Sequence, residues 1–148
     1  MGEADARRLA LRWLGLRSLT RRELSVRLQR AGVAEPESTL DALERQGWQS
    51  DRAVAHSELD RAQRRRDGPV RLAHRLRQRG VDEGLVRDTV GAVDAEAWWE
   101  QAWREAKRMT PGDGQRERLT RRLARQGYPA AIIARVLDRL GHEDPDGG

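Results

Sequence analysis

Leucines four residues apart recur along this chain, and each pair is closed by a glycine. The pattern reads Leu24-x-x-Arg27-Leu28-x-x-x-Gly32-Val33, then Leu72-x-x-Arg75-Leu76-x-x-x-Gly80-Val81, then Leu119-x-x-Arg122-Leu123-x-x-x-Gly127-Tyr128, at offsets of 48 and 47 residues. Side chains at i and i+4 share one face of a helix. A glycine four residues after the second leucine suits a left-handed helix cap, and the apolar residue after it can fold back on the last turn. Each copy therefore predicts a short amphipathic helix with a defined stop. Its framework residues are Leu24, Leu28 and Gly32, then Leu72, Leu76 and Gly80, then Leu119, Leu123 and Gly127.

Each such helix sits in the middle of a predicted trio. In the first trio a leading helix from about Asp5 to Leu16 places Leu9, Trp13 and Leu16 on one face. Thr20 and Glu23 form a capping-box pair for the middle helix. Pro36 suits the first turn of a third helix carrying Leu40 and Leu43, which ends at Gly47-Trp48. The second trio opens at Ser50-Asp51, runs through Val54, Ala55 and Leu59 to Arg64-Arg65-Arg66, and breaks at Asp67-Gly68-Pro69. Its third helix follows Asp82, with Leu85, Val86, Val90 and Val93. The third trio begins at Asp94 with Trp98, Trp99 and Trp103, and loops through Thr110-Pro111-Gly112-Asp113-Gly114. Its last helix starts at Pro129 and carries Ile132, Ile133, Val136, Leu137 and Leu140.

No segment alternates at the period of a strand. The expected fold is all-α: nine helices in three tandem three-helix units, spanning 1–48, 49–93 and 94–141, with a flexible tail at 142–148. Units of this size bury little alone and should stack in a row. An elongated, curved array of either hand is the expected shape.

Composition changes this picture in one respect. Hydrophobic residues make up 37% of the 148 and charged residues 36%. Scattered, that balance would suggest disorder; at helical spacing it means a thin core. Lys+Arg number 29 against 24 Asp+Glu, a net +5, and Lys107 is the one lysine. Arginine binds phosphates and carboxylates bidentately, which suits nucleic acid or the acidic face of a protein.

With no cysteine, disulfides and thiolate chemistry are excluded. His56, His74 and His142 lie far apart, without metal-ligand spacing, and no phosphate loop or nucleophile elbow occurs. Glu58 and Asp60 flank Leu59 as solubilising acids. No enzyme activity, metal or cofactor is expected. No stretch approaches the roughly 20 apolar residues of a membrane span, and no basic-then-apolar leader is visible at the start, so a cytoplasmic location is expected.

Four blocks in order are similar to the RecX family. They are Ser18-Leu19-Thr20-Arg21-Arg22-Glu23-Leu24, then Gly47-Trp48-Gln49-Ser50-Asp51-Arg52-Ala53-Val54-Ala55. Gly68-Pro69-Val70-Arg71-Leu72 follows, running on to Leu76-Arg77-Gln78-Arg79-Gly80-Val81. The last is Arg121-Arg122-Leu123-Ala124-Arg125-Gln126-Gly127-Tyr128 with Ile132-Ile133. The likeness runs from about Ala6 to Leu140. Val54 stands where the family often has an aromatic residue, Gln49-Ser50 where an apolar-acidic pair is common, and the first trio's third helix is shorter. The resemblance implies a non-catalytic, negative regulator of the RecA recombinase. Such a protein binds the RecA–single-stranded DNA filament groove and blocks extension or promotes disassembly. ATP hydrolysis, strand exchange and SOS co-protease activity fall as a result. The implied partner is RecA, with single-stranded DNA a second candidate and the monomer the expected state.

Candidate contacts are arginines. Arg118, Arg121, Arg122 and Arg125 form one stripe on the last middle helix. Arg71 and Arg75 stand on the equivalent face of the second, with Arg79 at its end, and Arg27 on the first. Arg64, Arg65 and Arg66 are either a contact patch or complements to their helix dipole. Each arginine also has a plain reading as part of a solvated face, with Glu23–Arg27 and Glu117–Arg121 as i,i+4 pairs. The basic character of the stripe rises from the first unit to the third. Trp98, Trp99 and Trp103 read as core with partial exposure, and Trp13, Trp48 and Tyr128 as packing between helices, although bases also stack on such rings. The alternative function is direct DNA binding through a basic helix; a helical scaffold for an unrelated partner is a third.

Overall fold

The computed structural model describes residues 1–109 and 111–143. Its elements are α1 (Glu3–Leu16), α2 (Arg21–Arg30), α3 (Glu37–Arg45), α4 (Asp51–Arg65), α5 (Pro69–Gln78), α6 (Glu83–Gly91), α7 (Ala95–Lys107), α8 (Gln115–Gln126) and α9 (Ala130–Glu143). Among the described residues there is no strand, and the fold is all-α. Thr110, in the expected loop, and 144–148 of the expected tail lie outside the described residues. His142 and Glu143 end α9.

Local chemistry sets most helix starts. Thr20 accepts from the Glu23 N–H at 3.1 Å while its own N–H donates to Glu23 Oε1 at 2.9 Å, a complete capping box. Ser50 accepts from Ala53 N–H, Asp82 from Leu85 N–H and Asp94 from Glu96 N–H. Pro36 precedes α3 and Pro69 opens α5.

By contact the chain divides into two compact units. The first takes Met1–Ser57 and Leu76–Val86; the second takes Glu58–Arg75 and the chain from Arg87 on.

The first unit is built on α1, α2 and α3. Its core joins Ala6, Ala10, Leu19, Leu24, Leu28, Val33, Leu40 and Leu43, with Leu11, Trp13 and Leu14 against it. The leading helix departs from the face expected for it: Ala6 and Ala10 are buried, Leu9 and Trp13 are half-buried, and Leu16 is 81% exposed. Small side chains let helices approach closely, and Leu16 stands on the helix's last turn. Trp48 also departs from its expected packing role, at 61% exposed. The turn at Gly47 (φ 79°) carries the chain so that Gln49, not Trp48, points inward. The Gln49 amide donates to the Leu19 carbonyl and to Asp51, and Asp51 in turn accepts from Arg21 N–H at 2.8 Å.

The second unit is built on α7, α8 and α9. Its core joins Trp99, Ala102, Ala106, Leu119, Leu123, Tyr128, Ile133 and Val136. Trp98 and Trp99 are buried and Trp103 half-buried. Trp98 donates its indole N–H to the Val90 carbonyl. Trp99 and Trp103 stack at 5.7 Å, and Arg135 and Arg139 lie over their faces at 4.1 and 4.5 Å. These cations cover the faces on which a base would stack. Glu58, expected at the surface, is buried at 4% exposure, with Arg61 3.8 Å away.

Candidate functional site

Each unit carries its own arrangement of arginines. In the first, Arg17, Leu19, Arg22, Glu23, Val26, Arg27, Arg30, Gln78 and Arg79 line a cleft of about 280 Å³. One face of α2 supplies Arg22, Glu23, Val26, Arg27 and Arg30, and the end of α5 supplies the opposite wall. That wall is pinned. Arg79 donates to both oxygens of Glu23 at 2.9 and 3.2 Å and to the Ser18 carbonyl, while its own carbonyl accepts from the Thr20 hydroxyl at 2.7 Å. Burial alone would raise the Glu23 carboxyl, but hydrogen bonds from Arg79 and Thr20 and the Arg79 charge outweigh it and hold Glu23 below its ordinary range. Glu23 thus pairs with Arg79, 56 residues away, and not with Arg27 on its own helix. Arg27 lies over the Trp13 ring at 5.6 Å instead.

In the second unit two buried carboxylates organise the arginines. Glu105, 2% exposed, stands within 3.4–3.5 Å of Arg66, Arg108 and Arg122 and accepts from the Gln126 amide at 3.0 Å. Asp67, 6% exposed at its side chain, holds Arg75 at 3.1 Å and Arg71 at 3.5 Å. Tyr128 ties the two carboxylates' surroundings together. Its hydroxyl donates to the Arg66 carbonyl at 2.9 Å and accepts from Gln101, which also donates to the Asp67 carbonyl. Burial, with the nearby negative charges of Glu105 and Asp67, pushes the Tyr128 phenol up to about 12. Arg66 sits at φ 59°, a left-handed conformation that costs a non-glycine residue about 1–3 kcal/mol. Its carbonyl and guanidinium are both held, which keeps it there.

The predicted contact residues therefore fall into two sets. Arg66, Arg71, Arg75, Arg79 and Arg122 are anchored on carboxylates, and Arg27 on a ring. Arg64, Arg65, Arg118, Arg121 and Arg125 are exposed and have no ion pair among the described residues, so the Glu117–Arg121 pair does not form. The anchored set depends on Glu105 and Asp67, which sequence reading passed over. Asp67 reads in sequence as part of a helix break and carries no local signal of burial; Glu105 lies i+7 from Trp98 and i+3 from Ala102, on the inward face of α7, and that spacing is the signal that could have found it. Arg17 and Arg22 were missed too, since they reach the cleft only through the fold. The framework glycines Gly32, Gly80 and Gly127 all have positive φ, at 100°, 86° and 93°. Among the described residues no group of three or more His, Asp or Glu side chains could hold a metal. No helix there is long and apolar enough to cross a membrane.

No protein-family model matches the chain. Individual relatives do. Regulatory protein RecX of Chromobacterium violaceum is 35% identical over 136 residues, covering 90% of this chain and 88% of that protein. The chain belongs to the RecX family. Regulatory protein RecX of Halorhodospira halophila is 34% identical, covering 100% of this chain and 98% of its own. The crystal structure of RecX from Lactobacillus salivarius superposes with a TM-score of 0.83 at 17% identity, covering 93% of this chain and 96% of that one. The all-helical architecture is thus a RecX fold.

Proposed function

We propose that this chain is a negative regulator of RecA. It binds in the groove of the RecA–single-stranded DNA filament, and it blocks extension or promotes disassembly. The observation that carries this is the likeness over nearly the whole chain to proteins named regulatory protein RecX, at 34–35% identity. The action is stoichiometric binding without catalysis, by a monomer in the cytoplasm where the recombinase works. The repeats at 1–48, 49–93 and 94–141 each present an arginine-bearing middle helix, so several weak contacts add by avidity.

Among the arginines, the exposed Arg64, Arg65, Arg118, Arg121 and Arg125 are the first choice for phosphates or acidic filament surface. Arg66, Arg71, Arg75 and Arg122 are half-spent on Asp67 and Glu105. They offer guanidiniums already held in place, at less entropic cost on binding. Charge reversal of Arg75 or Arg122 would put a carboxylate beside a buried carboxylate, so the informative reversals are Arg121→Glu and Arg125→Glu, set against Arg27→Glu. The test is the single-stranded-DNA-dependent ATPase of the cognate RecA with this protein titrated in, and filament length by electron microscopy. Inhibition and shortening, lost with R121E/R125E, are expected. Full ATPase and unchanged filaments at saturating protein would overturn the proposal.

The second reading is direct DNA binding, favoured by the same exposed arginines. Tight, sequence-selective binding without RecA would support it; weak binding with a steep salt dependence fits the accessory role.

A further inference from the structure

We propose that Asp113 is a modification site left open by the fold: its carboxyl group condenses with the Gly114 amide, and the chain at that point becomes isoaspartyl. This stands on the loop before α8 alone, not on the RecA reading. Among aspartyl sequences, Asp-Gly is the most prone to the reaction, because glycine carries no side chain to shield its amide. The chain has three such dipeptides, Asp67-Gly68, Asp113-Gly114 and Asp146-Gly147, and no asparagine. The last of them lies outside the described residues.

The Gly114 nitrogen attacks the Asp113 side-chain carboxyl carbon. The amide proton and the carboxyl's hydroxyl leave as water, and a cyclic succinimide remains. Water then opens the ring at either carbonyl. One opening restores aspartate; the other runs the main chain through the side-chain carbonyl and frees the α-carboxylate. The sum is an isomerisation, with water lost and regained and nothing oxidised. It needs a carboxyl free to rotate onto an amide that is not hydrogen-bonded. Asp67-Gly68 offers neither. Its carboxylate is 6% exposed and held by Arg75 at 3.1 Å and Arg71 at 3.5 Å, and the Gly68 N–H donates to the Gln126 carbonyl at 2.6 Å. Asp113-Gly114 offers both. Pro111, Gly112, Asp113 and Gly114 are all exposed. Among the described residues Asp113 makes no hydrogen bond or ion pair, and the Gly114 N–H has no acceptor. Space is open as well: a Cβ on Gly114 would meet nothing nearer than Glu117 Oε2 at 3.6 Å. The product carries an extra main-chain carbon just before α8, the helix of Arg118, Arg121 and Arg125. Its freed α-carboxylate is the group that a carboxyl methyltransferase using S-adenosylmethionine esterifies, so that class of enzyme is the implied partner.

The test incubates the full chain for days at physiological pH and temperature. Trypsin then places the dipeptides on separate peptides, 67–71, 109–116 and 140–148. Isoaspartate in each is read by electron-transfer fragmentation, which distinguishes the isobaric forms, and by methyl transfer from labelled S-adenosylmethionine with an isoaspartyl carboxyl methyltransferase. Peptide 109–116 should gain isoaspartate at least about tenfold faster than 67–71, because a site that reacts only through local opening is slowed by the opening equilibrium. In the guanidinium-unfolded chain the two rates should converge, since only the fold spares Asp67. Asp113→Glu, whose reaction would need a disfavoured larger ring, should abolish the signal at 109–116 with an unchanged thermal melt. Equal rates at the two sites in the folded protein overturn the proposal. So does a folded protein in which Asp113 stays unmodified while the unfolded chain isomerises there. A rate difference that persists on unfolding also overturns it, by assigning the difference to sequence and not to structure.

Discussion

The backbone N–H of Gly68 donates to the carbonyl of Gln126 at 2.6 Å. Val70 N–H follows, to the Gly127 carbonyl at 2.9 Å. The unpaired donors that begin α5 thus meet the unpaired acceptors that end α8, and the positive end of one helix dipole faces the negative end of the other. In the first unit the Thr20 hydroxyl, at the start of α2, donates to the Arg79 carbonyl at the end of α5. Both are junctions between the end of one middle helix and the start of another.

These junctions separate glycines needed for conformation from glycines needed for space. A Cβ on Gly32 would meet nothing within 4 Å, so only its φ of 100° matters there. A Cβ on Gly68 would lie 2.5 Å from the Gly127 carbonyl carbon and 2.8 Å from Tyr128 N. One on Gly127 would lie 2.6 Å from Arg71 N, at φ 93°. Gly32→Ala should cost about 1 kcal/mol, and Gly127→Ala more than about 3 kcal/mol, since backbone strain and overpacking add. Gly68→Ala should fall between. Urea unfolding of the three variants checks the order, and a Gly32 loss equal to that of Gly127 would refute the junction.

Tyr128 is the single tyrosine of the chain, so its ionisation can be followed directly by ultraviolet absorbance. It should titrate near 12, not near 10. A folded value raised above the unfolded one means that stability is fully present below about pH 10 and is lost as pH rises towards 12. Tyr128→Phe removes the bonds to Arg66 and Gln101 and should cost about 1–2 kcal/mol at neutral pH. A wild-type titration midpoint near 10 with the fold intact would count against this network.

Glu23 gives the opposite pH sign. Its folded pKa is depressed, so its contribution is complete above about pH 4.3 and disappears as pH falls through the lower folded value. Glu23→Gln should therefore lower the urea midpoint at about pH 7 and approach the wild type at about pH 3. A gap that stays constant across that range would mean packing, not charge, holds the α2–α5 junction of the first unit.

Glu105 accepts from several groups at once, whereas each arginine around it keeps contact with water. Glu105→Ala should cost about 2–3 kcal/mol, and Arg122→Ala under about 1 kcal/mol, because Arg66, Arg108 and Gln126 remain on the carboxylate. Chemical denaturation of both single variants and the double variant reads the coupling. Equal losses from the two single changes would show that the carboxylate has no such central role.

The helices of this protein were legible in its sequence because what makes them is local. Leucine spacing, the Thr20–Glu23 box, Pro36 and Pro69, and the glycine stops act within one or two turns, and α2, α5 and α8 lie where the Leu-x-x-Arg-Leu pattern puts them. The family blocks were legible for the same reason. What the arginines do was not. Arg27, Arg75 and Arg122 hold the same place in the repeated pattern, yet one lies over Trp13, one on Asp67 and one on Glu105. A side chain's partner comes from whichever helix packs beside it, often far away in the chain, as Glu23 and Arg79 show at a separation of 56 residues. Periodicity determined which residues face inward along α2, α5 and α8, though not along α1. Only tertiary packing decided which charges are anchored, which are exposed, and that Arg17, Arg22 and Arg30 share one cleft.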